Sequence, residues 1–246
     1  MKNKVAAVTL SFWIIKILAT TLGETGGDAV SIELGLGYER ATLIFAAIFA
    51  VLVTAQMKAR TFHPFLYWAV IVATTTVGTT MADFCDRSLG VGYIGGSLIL
   101  GGLLATTLVA WWRACGTISV SIIATHTQEG FYWLAILLSN TLGTALGDFL
   151  ADDGGAGFLG GTVIFAGALA LVAAAWKFTG LSRAGLFWAA FILTRPFGAT
   201  FGDLLDKAAD QGGLEIDRIT ASAVFALLIL ALIVLTRPRA GAHGEA

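Results

Sequence analysis

The chain has 246 residues, of which 57% are hydrophobic and only 13% are charged, and its formal net charge is −1. A soluble domain usually carries about 25% charged residues, so this composition excludes an ordinary soluble protein. The charge balance gives no sign of nucleic-acid binding, and the two cysteines are too few for a disulfide scaffold. We therefore predict a polytopic membrane protein that lies in a lipid bilayer.

A fourfold repeat organises the sequence. Four segments align on a tryptophan that follows another aromatic residue, at Trp13, Trp68, Trp133 and Trp188. Ten residues after each tryptophan is a glycine, and fifteen residues after it is an aspartate. The glycines are Gly23, Gly78, Gly143 and Gly198, and the aspartates are Asp28, Asp83, Asp148 and Asp203. Such agreement at fixed offsets predicts four copies of one structural unit.

Each copy contains the motif segment, a polar or glycine-rich gap and a second apolar run. The second runs lie at 40–57, 92–112, 158–177 and 219–236, and each is close to the ~20 residues that cross a bilayer as a helix. We predict an all-α membrane protein with eight transmembrane helices, arranged as four parallel, pseudo-symmetric helical hairpins. The predicted repeats span 8–60, 63–113, 128–178 and 183–237 of a single transmembrane domain over 1–246, with a disordered tail at 238–246.

These motif residues resemble a bacterial membrane-protein family built from four tandem two-helix repeats of unknown function. In that family each repeat has a characteristic tryptophan, and the four tryptophans named above match it. The resemblance covers nearly the whole chain. It implies the architecture and a bacterial inner membrane, but it brings no assigned activity and no catalytic residue.

The distribution of basic residues predicts the orientation. The termini and the loops between repeats hold nine lysines and arginines, against four in the loops within repeats. By the positive-inside rule both termini are expected in the cytoplasm. The aspartates then lie towards the outer surface. The aromatic-tryptophan pairs fall near the inner interface, where we expect them to anchor or pack the helices.

The repeated aspartates are the candidate functional residues. If the motif helices line a common axis, four carboxylates converge at one depth and repel one another unless a cation or shared protons offset them. Nearby positions add further polar groups: Glu24, Thr79, Thr144 and Asn140. Oxygen ligands of this kind suit hard divalent ions such as manganese or magnesium. We predict an ion-binding site in which Asp28, Asp83, Asp148 and Asp203 are the metal ligands.

Two cations interrupt the motif helices. Arg195 and Pro196 take the place of two polar residues in the fourth repeat, and Lys16 occurs only in the first. Repeats one and four become neighbours when a ring closes, so we predict a pair between Glu24 and Arg195. Lys16 has two interpretations: a lysine that reaches the inner interface, or a tethered charge that gates the inner half of a pathway.

The favoured function is an inner-membrane transporter or channel for a cation, with a divalent metal or a proton as the moving species and no covalent cofactor. A structural interpretation stays open, because small residues let helices approach closely and aspartates cap helix ends. Two further classes also stay open: a non-transporting scaffold or sensor subunit, and a metal-dependent lipid enzyme. No catalytic motif is present, so we expect no enzyme activity. A homo-oligomer is compatible with the sequence.

Overall fold

The computed structural model describes residues 3–120, 123 and 125–241, and apart from one isolated β-bridge all regular structure there is helical. Six of the helices are long and apolar enough to cross a membrane, whereas α1 and α7 carry several charged residues along their length. The described residues form eight α-helices: α1 (Leu10–Asp28), α2 (Gly37–Lys58), α3 (Pro64–Asp83), α4 (Tyr93–Cys115), α5 (His126–Asp148), α6 (Gly157–Phe178), α7 (Arg183–Asp206) and α8 (Arg218–Thr236).

The motif aspartates lie at helix junctions. In the first three repeats the aspartate is the last residue of α1, α3 or α5, and a five-residue π-helical turn follows it directly. In the fourth repeat α7 continues as an α-helix to Asp206. Short π-helical segments are rare and often occur at functional sites. The junctions therefore place Asp28, Asp83 and Asp148 where the helical pitch changes.

The four motif helices form a closed inner ring. Helix α1 packs on α3, α3 on α5, α5 on α7, and α7 on α1. The first and fourth repeats are thus neighbours. The helices at opposite corners are α1 and α5, and α3 and α7.

Each of the four outer helices packs on the inner helix of the next repeat. Helix α2 packs chiefly on α3, α4 on α5, α6 on α7, and α8 on α1. Each repeat consists of an inner helix, a short connection and an outer helix, but the two helices of one repeat do not pack chiefly on each other. The short loop joins two helices that separate, because the inner helix of the next repeat offers the closer packing surface.

Glycines explain why neighbouring inner helices pack so closely. The motif glycine of each repeat faces a residue seven positions after the tryptophan of the next repeat, and the space beside each glycine has no room for a Cβ atom without a shift. Small residues allow this backbone approach in membrane helices. The four contacts join Gly23 to Thr75, Gly78 to Asn140, Gly143 to Arg195, and Gly198 to Thr20.

The aromatic pairs close one end of the ring. Trp68, Trp133 and Trp188 are at most 3% exposed, so of the two expected roles, anchoring or packing, these three side chains pack inside the bundle. They pack with the preceding aromatic residues inside the bundle, where the hydroxyls of Tyr67 and Tyr132 are 2.6 Å apart. Burial of these large rings contributes packing energy that an interfacial position does not.

The two chain ends meet at the same end of the bundle as these aromatics. The N–H of Ala7 donates to the carbonyl of Arg239 at 2.8 Å, and Ala6 pairs with Ala240 in the β-bridge. The described part of the tail, 238–241, therefore lies against the N-terminal segment. Lys2, which the orientation count includes, and residues 242–246 of the predicted disordered tail lie outside the described residues. We call this the basic end, and the end that carries the motif aspartates the acidic end.

Candidate functional site

Polar side chains of the inner helices meet across the ring at three levels. At the lysine level, nearest the aromatic cluster, Lys16 Nζ donates to Asn140 Oδ1 at 3.0 Å. Lys16 belongs to α1 and Asn140 to α5, so this hydrogen bond crosses the ring axis. The Lys16 ammonium also lies 4.1 Å from the ring centre of Phe191. Lys16 is completely buried, so it does not reach an interface.

Asn140 forms its side-chain hydrogen bonds at the lysine level and not with the motif aspartates. Its Nδ2 donates to Thr74 Oγ1 at 2.9 Å, and its Oδ1 accepts from Lys16. Thr144 donates to the carbonyl of Asn140 within its own helix at 3.3 Å. Asn140 therefore lies at a different level from the motif aspartates that it was expected to assist, whereas Thr144 occupies the repeat position that Glu24 holds in repeat one.

At the arginine level the structure brings Glu24 and Arg195 together. Arg195 Nη2 lies 2.9 Å from Glu24 Oε2, and both side chains are buried. Arg195 also donates to the Thr79 hydroxyl and, at 3.3 Å, to the carbonyl of Thr20. Thr79 in turn donates to Glu24 Oε2 at 3.3 Å. Because α3 and α7 are opposite, this network also spans the axis.

At the aspartate level the four carboxylates divide into two pairs, each bridged by a basic side chain. Lys207 Nζ lies 2.5 Å from Asp28 Oδ2 and 3.0 Å from Asp203 Oδ1. The chain itself thus supplies a cation that offsets the repulsion between these two carboxylates. Lys207 follows Asp203 by four residues, a spacing at which side chains are neighbours along a helix. Asp28 lies beside them because α1 packs on α7 in the closed ring.

The second pair follows the same pattern. Arg87 Nε lies 2.8 Å from Asp83 Oδ1, and Arg87 Nη2 lies 3.6 Å from Asp148 Oδ2. Arg87 also approaches Asp152 at 3.7 Å. Repeats two and four thus each supply one basic residue, whereas the matching position is Ile32 in repeat one and Asp152 in repeat three.

Lys207 lies just beyond α7, and its surroundings are strongly acidic. Burial alone lowers the pKa of an ammonium, but the carboxylates of Asp203, Asp28 and Asp206 outweigh burial and raise the pKa of Lys207 above its ordinary value. Arg218 adds a further positive charge, with its Nε 3.3 Å from Asp206 Oδ2. Lys207 is therefore a protonated, tethered cation at neutral pH.

One group of carboxylates has the geometry to hold an ion. Glu24, Asp28 and Asp203 each offer an oxygen atom, and these oxygens all lie within 4.8 Å of one another. All three side chains are buried, and the Thr79 hydroxyl bonds to the same carboxylate of Glu24. Carboxylate and hydroxyl oxygens are the ligands that hard divalent cations prefer. Asp83 and Asp148 form the separate pair around Arg87.

The family model for Repeat of Unknown Function (DUF347) matches four tandem segments, at residues 11–62, 66–117, 131–182 and 186–239. The chain belongs to the DUF347 repeat family. The four DUF347 matches coincide with the four units that the tryptophan, glycine and aspartate positions define. No curated protein and no solved structure matches the chain.

The two bridging cations are the site residues that the sequence reasoning missed. Arg87 and Lys207 were counted only as basic residues of the outer loops. The signal was present, because each lies four residues after a DUF347 aspartate, the spacing at which opposite charges pair along a helix. The reach of each cation to the aspartate of a neighbouring repeat follows only from the closed ring.

Proposed function

We propose that this DUF347 protein is an inner-membrane transporter or channel for a small cation, most simply a divalent metal ion such as manganese. In this proposal all eight helices cross the bilayer as pseudo-symmetric repeats, and both termini are cytoplasmic. The observation that carries the proposal is the buried group of Glu24, Asp28 and Asp203, whose oxygens lie within 4.8 Å of one another between the neighbouring helices α1 and α7. Buried carboxylates in a membrane are costly and usually belong to an ion pathway.

The charges of this group suit a divalent ion. Three carboxylates and Arg195 have a formal sum of −2 when Lys207 is counted apart. The Lys207 ammonium now lies between Asp28 and Asp203 at salt-bridge distance. A divalent ion that takes its place balances the remaining charge, whereas a monovalent ion does not. We propose that Lys207 withdraws when the ion enters and returns when the ion leaves.

Exchange for protons fits the same chemistry. A carboxylate group that loses its metal ion is stabilised by taking up a proton or by regaining the Lys207 contact. Under this proposal protons that move down their gradient drive the metal ion across the membrane in the opposite direction. The buried aromatic cluster at the basic end then separates the site from the cytoplasm in this conformation.

Manganese flux into liposomes that contain the purified protein tests the proposal. We expect Asp28→Asn/Asp203→Asn to abolish flux, and Asp210→Asn on the exposed outer loop to leave it unchanged. Thermal unfolding in detergent reports whether each variant is folded. Normal flux through the folded double variant would refute the proposed site. Equal loss in Asp83→Asn/Asp148→Asn would instead favour one ring of four carboxylates.

A scaffold without transport is the second candidate, and a specific observation favours it. Each motif aspartate already has a basic partner from its own chain, through either Lys207 or Arg87. Such a network serves helix packing without any ion. In that case no metal stabilises the protein, no flux occurs, and all of the charge-removing variants above are simply less stable.

A further inference from the structure

An apolar groove opens on the side of the bundle near the basic end. It has a volume of about 550 Å³ and lies between α1, α6 and α7. Its walls include Leu10, Trp13 and Ile17 of α1, Trp176 of α6, and Ala190 of α7. From Leu10 to Ile17 the groove follows α1 for about 10 Å. None of the described residues that line it is charged.

The repeat explains why this groove is open. Trp176 stands 43 residues after the motif tryptophan of repeat three, and Trp111 stands at the same offset in repeat two. Trp111 is completely buried, but Trp176 is 44% exposed. At the equivalent place beside α4, α5 and α7, Trp111 packs edge-on against Trp188 at 5.9 Å between ring centres. The same position is thus filled in one repeat and empty in the next.

A loop of the chain itself covers the filled position. The connection from α4 to α5 spans 116–125, whereas the connection from α6 to α7 spans only 179–182. In the longer loop Val120 and Ile123 are buried, and the carbonyl of Ile118 accepts a hydrogen bond from Trp188 Nε1 at 3.0 Å. The shorter loop has no such residues, so Trp13, the counterpart of Trp188, lies in the open groove.

The mouth of the groove is positively charged. Arg183, the first residue of α7, donates to the carbonyl of Trp176 and lies over its ring at 4.7 Å. Lys177 follows Trp176 directly and is exposed. Thr9, the N-cap residue of α1, also lines the groove, so the positive end of that helix faces the same region. Apolar walls below basic groups match the two parts of an anionic lipid.

We propose that this groove is a binding site for an anionic phospholipid. One acyl chain occupies the space between α1, α6 and α7, where the equivalent position beside α4, α5 and α7 is packed by Ile118, Val120 and Ile123. The phosphate lies against Arg183 and Lys177. Juxtamembrane basic residues bind anionic headgroups with about 1 kcal/mol each, which corresponds to roughly fivefold in affinity per charge. The proposal does not depend on which ion the protein moves.

Native mass spectrometry of the purified full chain in detergent tests the site. Dioleoylphosphatidylglycerol and dioleoylphosphatidylcholine, which have the same acyl chains, are added separately. We expect wild type to retain phosphatidylglycerol in preference to phosphatidylcholine. Lys177→Gln/Arg183→Gln is expected to lower the affinity for phosphatidylglycerol roughly 25-fold, as two charges are removed. Ala190→Phe, which fills the groove, is expected to abolish retention of both lipids.

Arg237→Gln/Arg239→Gln, at the end of α8, is the matched control and is expected to retain the lipid as wild type does. Thermal unfolding without added lipid shows that each variant is folded. Equal retention of the two lipids by wild type would overturn the headgroup assignment. Equal loss in the control pair would also overturn it, since the effect would then be general attraction to basic residues. A protein dimer in place of a lipid adduct, removed by Ala190→Phe, would show that a second copy occupies the groove.

Discussion

The Glu24–Arg195 pair gives the sharpest test of how the ring is held together. The two residues lie in α1 and α7, with Arg195 Nη2 2.9 Å from Glu24 Oε2, and the side chain of Arg195 has no exposed surface. Glu24→Gln leaves the guanidinium without a charged partner, with only neutral acceptors such as the Thr20 carbonyl and the Thr79 hydroxyl around it. Breaking one side of a buried pair costs about 3–5 kcal/mol. We expect the free energy of unfolding to fall by about 3 kcal/mol, at the low end of this range, because the change also relieves repulsion with Asp28 and Asp203.

Arg195→Gln is expected to cost less than Glu24→Gln. In this variant the Glu24 carboxyl has no arginine partner, and it is able to take up a proton and become neutral, whereas an unpaired guanidinium stays charged. The double variant Glu24→Gln/Arg195→Gln removes both charges together, and we expect it to unfold within about 1–2 kcal/mol of wild type. The coupling energy is the sum of the two single losses minus the loss of the double variant, so it is at least about 1–2 kcal/mol, within the range found for directly contacting residues.

Unfolding of the purified protein in mixed detergent, followed by loss of helical signal, measures the four free energies of this cycle. The matched control is the exposed pair Asp153→Asn/Arg113→Gln, whose side chains do not interact and whose effects should add. If the double variant at Glu24 and Arg195 is no more stable than the weaker single variant, the pair does not stabilise the ring. Flux should remain lost even where stability recovers, because Glu24 is also a proposed ion ligand.

Three further predictions rest on single contacts. Lys207→Met removes the tethered cation from the proposed site and should raise manganese affinity at least about tenfold, or about 1.4 kcal/mol. Metal-dependent thermal stabilisation measures this affinity, and Arg87→Met should leave it unchanged. Gly198→Ala forces α7 away from Thr20 and should cost about 1–3 kcal/mol of unfolding free energy, whereas Gly101→Ala, which meets open space, should be neutral or stabilising. Tyr67→Phe leaves the partner hydroxyl without its 2.6 Å hydrogen bond and should cost about 1–2 kcal/mol in the same unfolding assay; no change would mean that another group satisfies that hydroxyl.

The sequence predicts which inner helices are neighbours in the ring, but it does not predict which inner helix each outer helix packs on. Motif positions repeat at fixed offsets, so the neighbours of each inner helix follow from chain order, and with them the contact between Glu24 and Arg195. The outer helices are apolar over most of their length, so their hydropathy pattern does not distinguish α1 from α3 as the partner of α2. That choice depends on surface shape, which hydropathy does not encode.

The site was predictable in its residue types but not in its charge balance. Four aspartates at one offset predict a common depth, and the structure places them at one end of the ring. Their division into two pairs depends on Lys207 and Arg87, which the loop composition alone presents as ordinary basic residues. The sequence left both anchoring and packing open for the tryptophans for a related reason, because a tryptophan near a helix end has the same sequence signature at an interface and in a core.

Ring closure joins two helices that the ribosome makes at very different times. Glu24 is made 171 residues before Arg195, the residue that neutralises it. At about 5–20 residues per second, α1 waits roughly 10–30 s for its counter-charge. During that interval its acidic residues have no basic partner from α7, and a bare carboxylate is costly in lipid. The contact between the first and last repeats forms only after α7 has been made, so the ring closes at the end of synthesis, and Glu24 has to be hydrated, protonated or otherwise sheltered until then.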